Sequence, residues 1–305
     1  MTPIVIAFTP NYIVPAAVTL RSILDASPEG RFEVLCLVTE EIPQRQKDEL
    51  EAMAGERMIF RYLPLAGRLE GYYIDPRYSE AASYRLLLPE LLPEVDKIIY
   101  IDCDIVVRQD LAALYSSTEL GDNLIAAIYE APIEGQAERW EALGCDSGKY
   151  FNSGFLIMNL RQMREEGSSS KFLDALKTDY LEFPDQDALN LVCQGRVMPL
   201  SPVYNGIRTF FLPQYKKDFL AQYGSEELWN EVQTFGNIHY TGGKPWNLFT
   251  VKFAEWWRTY ESLPDNIRGE CNPNPRTLTI WKIYRTSAGR LCIDTLQKLY
   301  RRIKH

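Results

Sequence analysis

Several patterns that mark large protein classes are missing from this 305-residue sequence. No Gly-x-Gly-x-x-Gly follows the first predicted strand and Gly-x-x-x-x-Gly-Lys-Ser/Thr does not occur, which excludes the common dinucleotide and nucleoside triphosphate loops. No run of 18 apolar residues is present, and the amino terminus lacks the basic region of a signal peptide. The six cysteines form no Cys-x-x-Cys pair, which favours free thiols in a reducing compartment. We therefore expect a cytoplasmic protein that does not span a membrane.

Composition favours one large folded body with a carboxyl-terminal segment of different character. Hydrophobic residues make up 46% of the chain, enough for the core of an α/β domain. Residues 276–305 contain eight Lys or Arg and one acidic residue, a formal charge of +7, within a chain whose net charge is -8. The remainder therefore carries -15. An acidic body argues against nucleic acid as a partner, because such binding needs a basic surface on the folded domain.

The first 63 residues alternate between apolar runs and segments with helical spacing of apolar residues. This pattern predicts strands over 4–8, 32–38 and 58–63, separated by helices. Such an order favours a parallel sheet with crossover helices. Ligands bind beyond the carboxyl ends of the strands in such sheets, where Thr9 and Asn11 would lie.

The stretch Lys97–Val107 is predicted to be a buried strand that delivers two carboxylates, Asp102 and Asp104. Alternate residues of a strand share a face, so both side chains would point the same way, with their Cα atoms about 7 Å apart. Carboxylates this close resist desolvation unless a cation or proton lies between them, and a hard divalent metal is the favoured partner. The alternative is two solvated side chains where the strand ends.

Two segments near this strand, residues 79–92 and 135–147, are predicted to be a helix and a loop. A helix over 79–92, with Ser79 as its N-cap, contains Arg85. An arginine there is usually solvated or salt-bridged at the surface, although three neighbouring leucines suggest a helix that is largely buried. The polar segment Gly135–Ser147 carries turn residues and is predicted to be a mobile loop.

Polar residues also precede or begin three later elements. Asn152 and Gly154 open a strand, where a glycine permits a close backbone approach. A helix begins at Pro184, and the acidic residues in its first turn either cap the helix or face a sugar. His239 follows a short apolar strand and precedes two glycines and a lysine. This combination of a metal ligand, flexible backbone N–H groups and an ammonium fits a metal-bound diphosphate, although a lone histidine is more often structural.

Taken together, four motifs in sequence order resemble those of glycosyltransferase family 8 over residues 3 to 250, and look most like bacterial lipopolysaccharide galactosyl- and glucosyltransferases. The resemblance implies an α/β fold of the GT-A type, a Rossmann-like mixed sheet flanked by helices, in residues 1–265. It also implies a UDP-hexose donor and Mn²⁺ (or Mg²⁺) as the metal. The motifs are Ile101-Asp102-Cys103-Asp104, Phe151-Asn152-Ser153-Gly154, Asp185-Gln186-Asp187 and His239-Tyr240-Thr241-Gly242-Gly243-Lys244-Pro245-Trp246.

The resemblance implies a role for each matching position. It assigns three metal ligands, a grip on the diphosphate, contacts to the nucleoside and to the donor sugar, and a side chain beneath the anomeric carbon. The matches are, in that order, Asp102, Asp104 and His239; Gly242 and Lys244; Ala7 and Asn11, with Thr9 beside them; Arg85, Asn152 and Asp185; and Gln186.

The sequence departs from the family pattern at three places, one of which is the turn after His239, which is one residue tighter than in some relatives. Thr9 stands where relatives often carry an acidic residue that contacts uracil, which affects the details of base recognition. Tyr129 followed by Glu130 stands where some relatives carry an aspartate, which affects the acceptor and the sugar. The resemblance implies transfer of galactose or glucose, with retention of configuration, to a saccharide of a lipopolysaccharide or another surface glycan.

Two routes to retention stay open at this point. A glutamine is a poor nucleophile, so Gln186 favours attack by the acceptor from the face that UDP leaves, with a phosphate oxygen taking the proton. The alternative is a covalent intermediate on Asp185 or Asp187.

Two other functions compete with glycosyl transfer. A haloacid-dehalogenase-type phosphatase would use Asp102 and Asp104 as nucleophile and acid, but in that family the motif usually ends the first strand, and here three predicted strands precede it. A non-catalytic protein that binds nucleotide sugars would be indicated by a missing metal ligand, and all three candidate ligands are present.

The basic segment 276–305 interleaves aromatic and aliphatic residues with its positive charges. An exposed basic amphipathic segment fits an anionic membrane surface, which would bring the enzyme to a lipid-linked saccharide acceptor on the inner face of the plasma membrane. The alternative is a helix docked on the acidic body. Ser287, Ala288 and Gly289 are expected to divide the segment into two short helices.

Overall fold

The computed structural model describes residues 1–75, 77, 79–178, 180–270, 273–293 and 295. Strands and helices alternate along most of this chain. The strands are β1 Thr2–Phe8, β2 Phe32–Val38, β3 Met58–Pro64, β4 Lys97–Asp102, β5 Ile105–Val106, β6 Ile125–Tyr129, β7 Phe151–Asn159, β8 Val197–Pro199 and β9 Ile238–His239. The α-helices are α1 Ile13–Ala26, α2 Gln44–Ala54, α3 Glu80–Ser83, α4 Leu88–Leu91, α5 Leu111–Ser117, α6 Gln136–Leu143, α7 Leu160–Glu165, α8 Ser168–Ala175, α9 Pro184–Cys193, α10 Lys216–Tyr223, α11 Glu226–Phe235, α12 Phe253–Glu261, α13 Asp265–Arg268 and α14 Pro275–Tyr284.

In the described part of the chain, seven strands form one mixed sheet in the order β3-β2-β1-β4-β7-β6-β8. The three amino-terminal strands pair in parallel, as the sequence predicts, and β4 continues this parallel set beside β1. Strand β7 then runs antiparallel to both β4 and β6. The mixed sheet flanked by helices that the resemblance implies is therefore confirmed.

The central strands are apolar on both faces because helices cover both sides of the sheet. Along β1, Ile4 and Ile6 belong to one buried cluster together with residues of α1. The alternate residues Val5 and Ala7 belong to a second cluster on the opposite face, with residues 84–88. Burial on two faces fixes the register of β1, and so fixes where its carboxyl end lies.

The segment predicted as one strand over Lys97–Val107 is divided. Strand β4 ends at Asp102, Cys103 and Asp104 form a turn, and the chain then enters β5. The expectation that the two aspartates share a strand face is therefore wrong, because the alternation stops at Asp102. Strand β5 instead pairs with β9, which places His239 opposite Ile105. This short second sheet brings His239 next to the turn that carries Asp104.

The segment predicted as a mobile loop over Gly135–Ser147 contains helix α6, so that expectation is wrong. The helix is held by a single aromatic anchor. Trp140 is buried and stacks on Tyr150, with ring centroids 4.4 Å apart and planes 6° from parallel. One apolar anchor among polar residues gives no periodicity for a sequence pattern to detect.

The helix predicted over 79–92 is broken into α3, a 3₁₀ turn over Tyr84–Leu87, and α4. Ser79 caps it as predicted, because its hydroxyl accepts a hydrogen bond from the backbone N–H of Ala81. Pro89 explains the break, because it has no N–H group to continue the helical hydrogen bonds. The 3₁₀ turn is buried, and it includes Arg85.

The first part of the basic segment docks on the body. Trp281 of α14 is buried and stacks on Trp257 of α12, with centroids 6.1 Å apart. Helix α14 ends at Tyr284, and residues 287–293 are again helical. The segment is therefore divided at 285–286, and the expectation that Ser287, Ala288 and Gly289 divide it is wrong, because they lie inside the second helix. The rest of the segment, 294 and 296–305, lies outside the described residues. None of the helices in the described ranges has both the length and the apolar character needed to cross a bilayer.

Candidate active site

A cavity of about 770 Å³ opens where β1 and β4 end, at the edge of the sheet that the sequence predicts for a ligand. Its volume lies in the range of small-molecule sites. Two of the predicted site residues do not line it: Asn11 is exposed, and Asp187 is fully buried elsewhere. The predicted residues that do line it are Ala7, Thr9, Arg85, Asp102, Asp104, Asn152, Asp185, Gln186, His239, Gly242 and Lys244.

Asp102, Asp104 and His239 converge on one point of the cavity wall. One ligand atom from each lies within 4.8 Å of the other two. His239 Nε2 is 3.2 Å from Asp104 Oδ1 and 3.7 Å from Asp102 Oδ2. Gly154 makes this possible, because a Cβ atom there would lie 2.3 Å from His239 Cε1. The close backbone approach expected at this glycine is thus observed.

A chain of hydrogen bonds fixes which nitrogen of His239 faces the carboxylates. The backbone N–H of Gly154 donates to Asn152 Oδ1 at 3.1 Å. Asn205 must therefore donate its amide Nδ2 to that same oxygen, at 3.0 Å, which turns Asn205 Oδ1 towards His239 Nδ1, also at 3.0 Å. A carbonyl oxygen accepts only, so Nδ1 carries a proton, and Nε2 is the nitrogen that faces the carboxylates and is available to a metal.

The donor set fits a divalent cation. His239 Nε2 faces Asp104 Oδ1 at 3.2 Å, and that buried oxygen has no other hydrogen-bond partner among the described residues. A nitrogen and a carboxylate oxygen at this distance need a positive charge between them, which is either a proton on Nε2 or a bound cation. Carboxylate oxygens and a neutral imidazole are ligands that Mn²⁺ accepts.

Lys244 supplies a fixed positive charge beside this group. Its ammonium donates to Asp104 Oδ2 and, at 2.8 Å, to the backbone oxygen of Tyr240. Burial opposes ionisation of Asp104, but Lys244 and His239 together outweigh it and hold the pKa of the carboxyl below its usual range. Gly242 in the same turn has a φ of +85°, which favours glycine. The turn therefore presents backbone and ammonium to one side of the cavity.

Arg85 is buried, with 3% of its surface exposed, so the surface reading of this residue is wrong. It donates to Asp102 Oδ1 at 2.8 Å, and its Nε lies 3.3 Å from Asp185 Oδ2. Burial raises the pKa of Asp185, against the lowering effect of the guanidinium. The arginine thus joins the metal-ligand candidates to the residues that the resemblance assigns to the sugar.

The amide of Gln186 is fixed in one orientation. Its Oε1 accepts hydrogen bonds from the backbone N–H of Ser153 at 3.0 Å and from Asn152 Nδ2 at 3.1 Å. Its Nε2 donates to Glu130 Oε1 and to the Tyr150 hydroxyl, each at 3.2 Å. Because the amide is bound at both ends, Gln186 enters the cavity as an oriented dipole.

Asp187 is completely buried behind Gln186. It accepts hydrogen bonds from the Tyr150 hydroxyl, from Arg139 Nη2 at 2.6 Å, and from the backbone N–H groups of Glu182 and Phe183. Both of its oxygens are engaged, so Asp187 reaches the cavity only through Tyr150. Asp185, in contrast, lines the cavity directly.

Three residues of the site had no role assigned from the sequence. Asn205 is fully buried and orients His239, but it lies in an irregular segment that no motif marks. Tyr150 links Asp187 to Gln186, and it immediately precedes the second motif. Glu130 is marked in the sequence only by its departure from the family pattern. The hydrogen bonds that give these residues their positions are long-range in sequence, so no local pattern predicts them.

Comparison with known proteins agrees with the fold. The chain resembles two solved structures of glycosyltransferases at a level that shows the fold alone. One is WbbM, a bifunctional glycosyltransferase, with a TM-score of 0.73 and 23% identity over 88% of this chain and 51% of that one. The other is an active-site mutant of LgtC, with a TM-score of 0.72 and 24% identity over 88% of this chain and all of that one. The fold is therefore of the GT-A type.

The sequence profile described as "Glycosyl transferase family 8" matches residues 3–249. The chain belongs to this family. It is 31% identical to General stress protein A of Bacillus subtilis, over 56% of this chain and 61% of that protein. It is 29% identical to a lipopolysaccharide 1,2-glucosyltransferase of Escherichia coli, over 87% of this chain and 76% of that enzyme. The chain thus spans between three fifths and about three quarters of the length of these two relatives.

Proposed function

We propose that this protein transfers a hexose, galactose or glucose, from a UDP-sugar to a saccharide acceptor with retention of configuration, and that the reaction depends on Mn²⁺ or Mg²⁺. The observation that carries the proposal is the convergence of Asp102, Asp104 and His239 on one point of the cavity wall, beside the Lys244 ammonium. Family membership supports it. The phosphatase and the non-catalytic alternatives receive no support from the comparisons.

The diphosphate end of the donor would lie against the carboxylate and histidine group. Asp102, Asp104 and His239 would hold the metal, which when bound stabilises negative charge on the leaving UDP. Lys244 is positioned to add a second positive charge there once the cation neutralises Asp104. Its ammonium is also held by the Tyr240 carbonyl oxygen, which limits the reorganisation needed as charge develops. A preorganised donor of this kind contributes about 3 kcal/mol in comparable sites.

The sugar end would lie towards Gln186. Arg85, Asn152 and Asp185 would contact the hydroxyl groups of the sugar. The carbonyl end of the Gln186 amide is its negative end, which suits a sugar that becomes positively charged as the bond to UDP breaks. We propose attack by the acceptor hydroxyl from the face that UDP leaves, with its proton passing to the departing phosphate. No protein base is then required.

The acceptor and location are proposed from the relatives and from the charge distribution. Relatives named as lipopolysaccharide 1,2-glucosyltransferase and lipopolysaccharide 1,3-galactosyltransferase act on surface glycans by name. We propose a similar saccharide or lipid-linked saccharide as acceptor for this chain. We further propose a cytoplasmic protein with a catalytic domain over 1–265 and a basic segment over 276–305 that contacts the inner face of the membrane.

Replacement of Asp104 by asparagine tests the metal site and the donor together. The substitution keeps the volume of the side chain and removes the charge that Lys244 and the cation share. We expect UDP affinity measured by calorimetry in Mn²⁺ to fall to the level that the unaltered protein shows in EDTA. Asp174→Asn, an exposed aspartate paired with Lys177, is the control and should bind as the unaltered protein does. Equal UDP affinity for Asp104→Asn and the unaltered protein would remove Asp104 from the metal site.

The transferase itself is tested with a panel of radiolabelled UDP-sugars. We expect slow Mn²⁺-dependent release of hexose from UDP-galactose or UDP-glucose even without an acceptor. Release of phosphate from a phosphomonoester, without hydrolysis of any UDP-sugar, would instead favour the phosphatase.

A further inference from the structure

Two consecutive backbone carbonyls immediately after Lys244 are held by helices from the carboxyl-terminal part of the chain. The indole N–H of Trp257, in α12, donates to the carbonyl oxygen of Pro245 at 3.1 Å. The carbonyl oxygen of Trp246 receives the backbone N–H of Asn274 at 2.9 Å and lies 3.0 Å from the Thr277 hydroxyl. The carbonyls that follow Lys244 are therefore fixed from outside their own loop.

The beginning of α14 is built to make this contact. Thr277 is 2% exposed although its hydroxyl is polar, and that hydroxyl shares its proton between Trp246 and the carbonyl of Asn274. Trp281, one turn further on, is buried against Trp257 and donates its indole N–H to Glu261 at 2.9 Å. The hydroxyl oxygen lies 2.7 Å from the Asn274 carbonyl oxygen and 3.0 Å from that of Trp246, so one buried group links the start of α14 to the turn that follows Lys244.

The fixed carbonyls connect directly with the cavity. The carbonyl of Lys244 accepts hydrogen bonds from the backbone N–H groups of Asn247 and Leu248, so residues 244–248 form one compact turn. The ring of Trp246 meets Tyr12 edge-on at 5.8 Å, and Tyr12 lines the cavity. A shift of Trp246 would therefore move the backbone that aims Lys244 at Asp104.

We infer that Thr277 is a positioning residue for the diphosphate grip: helix α14 acts as a strut that holds the turn of Lys244 through the carbonyl of Trp246. The inference rests on the proposed function in taking Lys244 as a contact to the diphosphate. It gives the first third of the basic segment a role in donor binding that needs no membrane.

The test is a double-mutant cycle that combines Thr277→Val with Lys244→Ala in the full chain. The measured quantity is UDP affinity in the presence of Mn²⁺. Thr277→Val removes the hydroxyl and keeps the volume, and we expect it to weaken UDP binding by about threefold to tenfold, the usual range for one hydrogen bond. Thr277→Ser restores the hydroxyl and should recover most of the affinity. Thr279→Val, an exposed position on the same helix whose hydroxyl bonds within the helix, is the control and should bind as the unaltered protein does.

The second arm separates positioning from a general loss of stability. In a Lys244→Ala background, Thr277→Val should cause no further loss of UDP affinity, because residues that act through one contact are not additive. The melting temperature, in contrast, should fall by the same amount in both backgrounds. An equal loss of UDP affinity in both backgrounds, or no loss in either, overturns the inference and leaves the proposed function standing. Absence of UDP binding by the unaltered protein overturns both.

Discussion

Gln186 is the residue at which orientation matters most, because an amide can face the sugar with either a positive or a negative end. The assignment of its oxygen does not depend on the amide itself. The backbone N–H of Ser153 can only donate, so the atom of Gln186 that it meets at 3.0 Å must be the oxygen. Glu130 accepts from the other end. The surrounding residues thus fix one orientation of the amide, and the proposed function requires its oxygen to lie nearest the sugar.

We expect Gln186→Ala to lower turnover by about a hundredfold, the scale observed when one preorganised polar group is removed from a site that stabilises developing charge. UDP affinity should change little, because the proposed contact is to the sugar near the transition state. Steady-state rates and UDP calorimetry separate the two effects. Gln44→Ala, an exposed glutamine on α2, is the control. A defect confined to donor binding would make Gln186 an ordinary contact to the substrate.

Glu130 should make the stability of the ligand-free protein depend on pH. Burial raises the pKa of its carboxyl, although hydrogen bonds from Asn152 and Gln186 oppose the shift. The folded protein therefore holds this proton more tightly than the unfolded chain does. It follows that the stability due to Glu130 is present below the unfolded pKa of about 4.3 and is lost as pH rises through the higher folded pKa.

Glu130→Gln keeps an oxygen for the two amides and removes the ionisation. We expect its melting temperature to match that of the unaltered protein at pH 4 or below, and to exceed it by a margin that grows as pH rises towards 7. Thermal unfolding at several pH values, without metal or nucleotide, measures this difference. A constant difference at all pH values would show that Glu130 is not the titrating group.

At the scale of elements, the sequence predicts the parallel strands well and the turn at the site poorly. Strand β2 is observed over the predicted residues 32–38. Its prediction succeeds because a continuous apolar run is typical of a parallel strand that is buried on both faces. The pairing of β5 with β9 joins residues more than 130 positions apart, and no local pattern encodes it. The convergence of His239 with the aspartates could thus be expected only from the resemblance. Helix α6 was missed because its burial depends on one tryptophan.

Strand β7 passes close to His239 at Gly154, where there is no room for a Cβ atom. In Gly154→Ala the new Cβ atom would lie 2.3 Å from His239 Cε1 and 2.7 Å from Asp102 Oδ2. We expect Mn²⁺-supported UDP affinity to fall by about tenfold or more, as when residues that orient metal ligands are changed. Stability should fall by about 1–3 kcal/mol from overpacking. Calorimetry and chemical denaturation measure the two effects.

Gly148→Ala is the matched control for this substitution. A Cβ atom there would meet only Asp146 Oδ1, at an ordinary contact distance of 3.5 Å. We expect UDP affinity and stability close to those of the unaltered protein. If Gly154→Ala behaved in the same way as Gly148→Ala, the close packing of β7 against His239 would not matter for the site.

At the scale of the whole molecule, the positive charge of the carboxyl-terminal segment is divided between two environments. Helix α14 is docked, and Arg285 after it pairs with Glu261 of the body. Leu291, in the helical residues beyond the turn, is 71% exposed. The docking of α14 agrees with the alternative raised from the sequence, a helix packed on the acidic body. Four basic residues, Lys298, Arg301, Arg302 and Lys304, follow in the part outside the described residues, and the membrane proposal now depends on them.

Truncation after Pro275 is a poor test of membrane binding, because it also removes Thr277 and Trp281. Substitution of the four distal basic residues by glutamine leaves α14 unchanged and lowers the charge of residues 276–305 from +7 to +3. Anionic lipid attracts each such residue by about 1 kcal/mol, so we expect binding to anionic vesicles to weaken on the order of a hundredfold or more, while UDP-sugar hydrolysis is unchanged.

Sedimentation with anionic vesicles at low and high salt measures this binding, because attraction between exposed charges is screened by salt. The matched control replaces four exposed basic residues of the body by glutamine and should still bind. It has the same net charge as the tail variant, so a difference between them assigns the attraction to the position of the charges. Equal sedimentation of the unaltered protein and the tail variant would contradict membrane attachment through this segment. The control positions are Arg31, Lys149, Lys171 and Lys177.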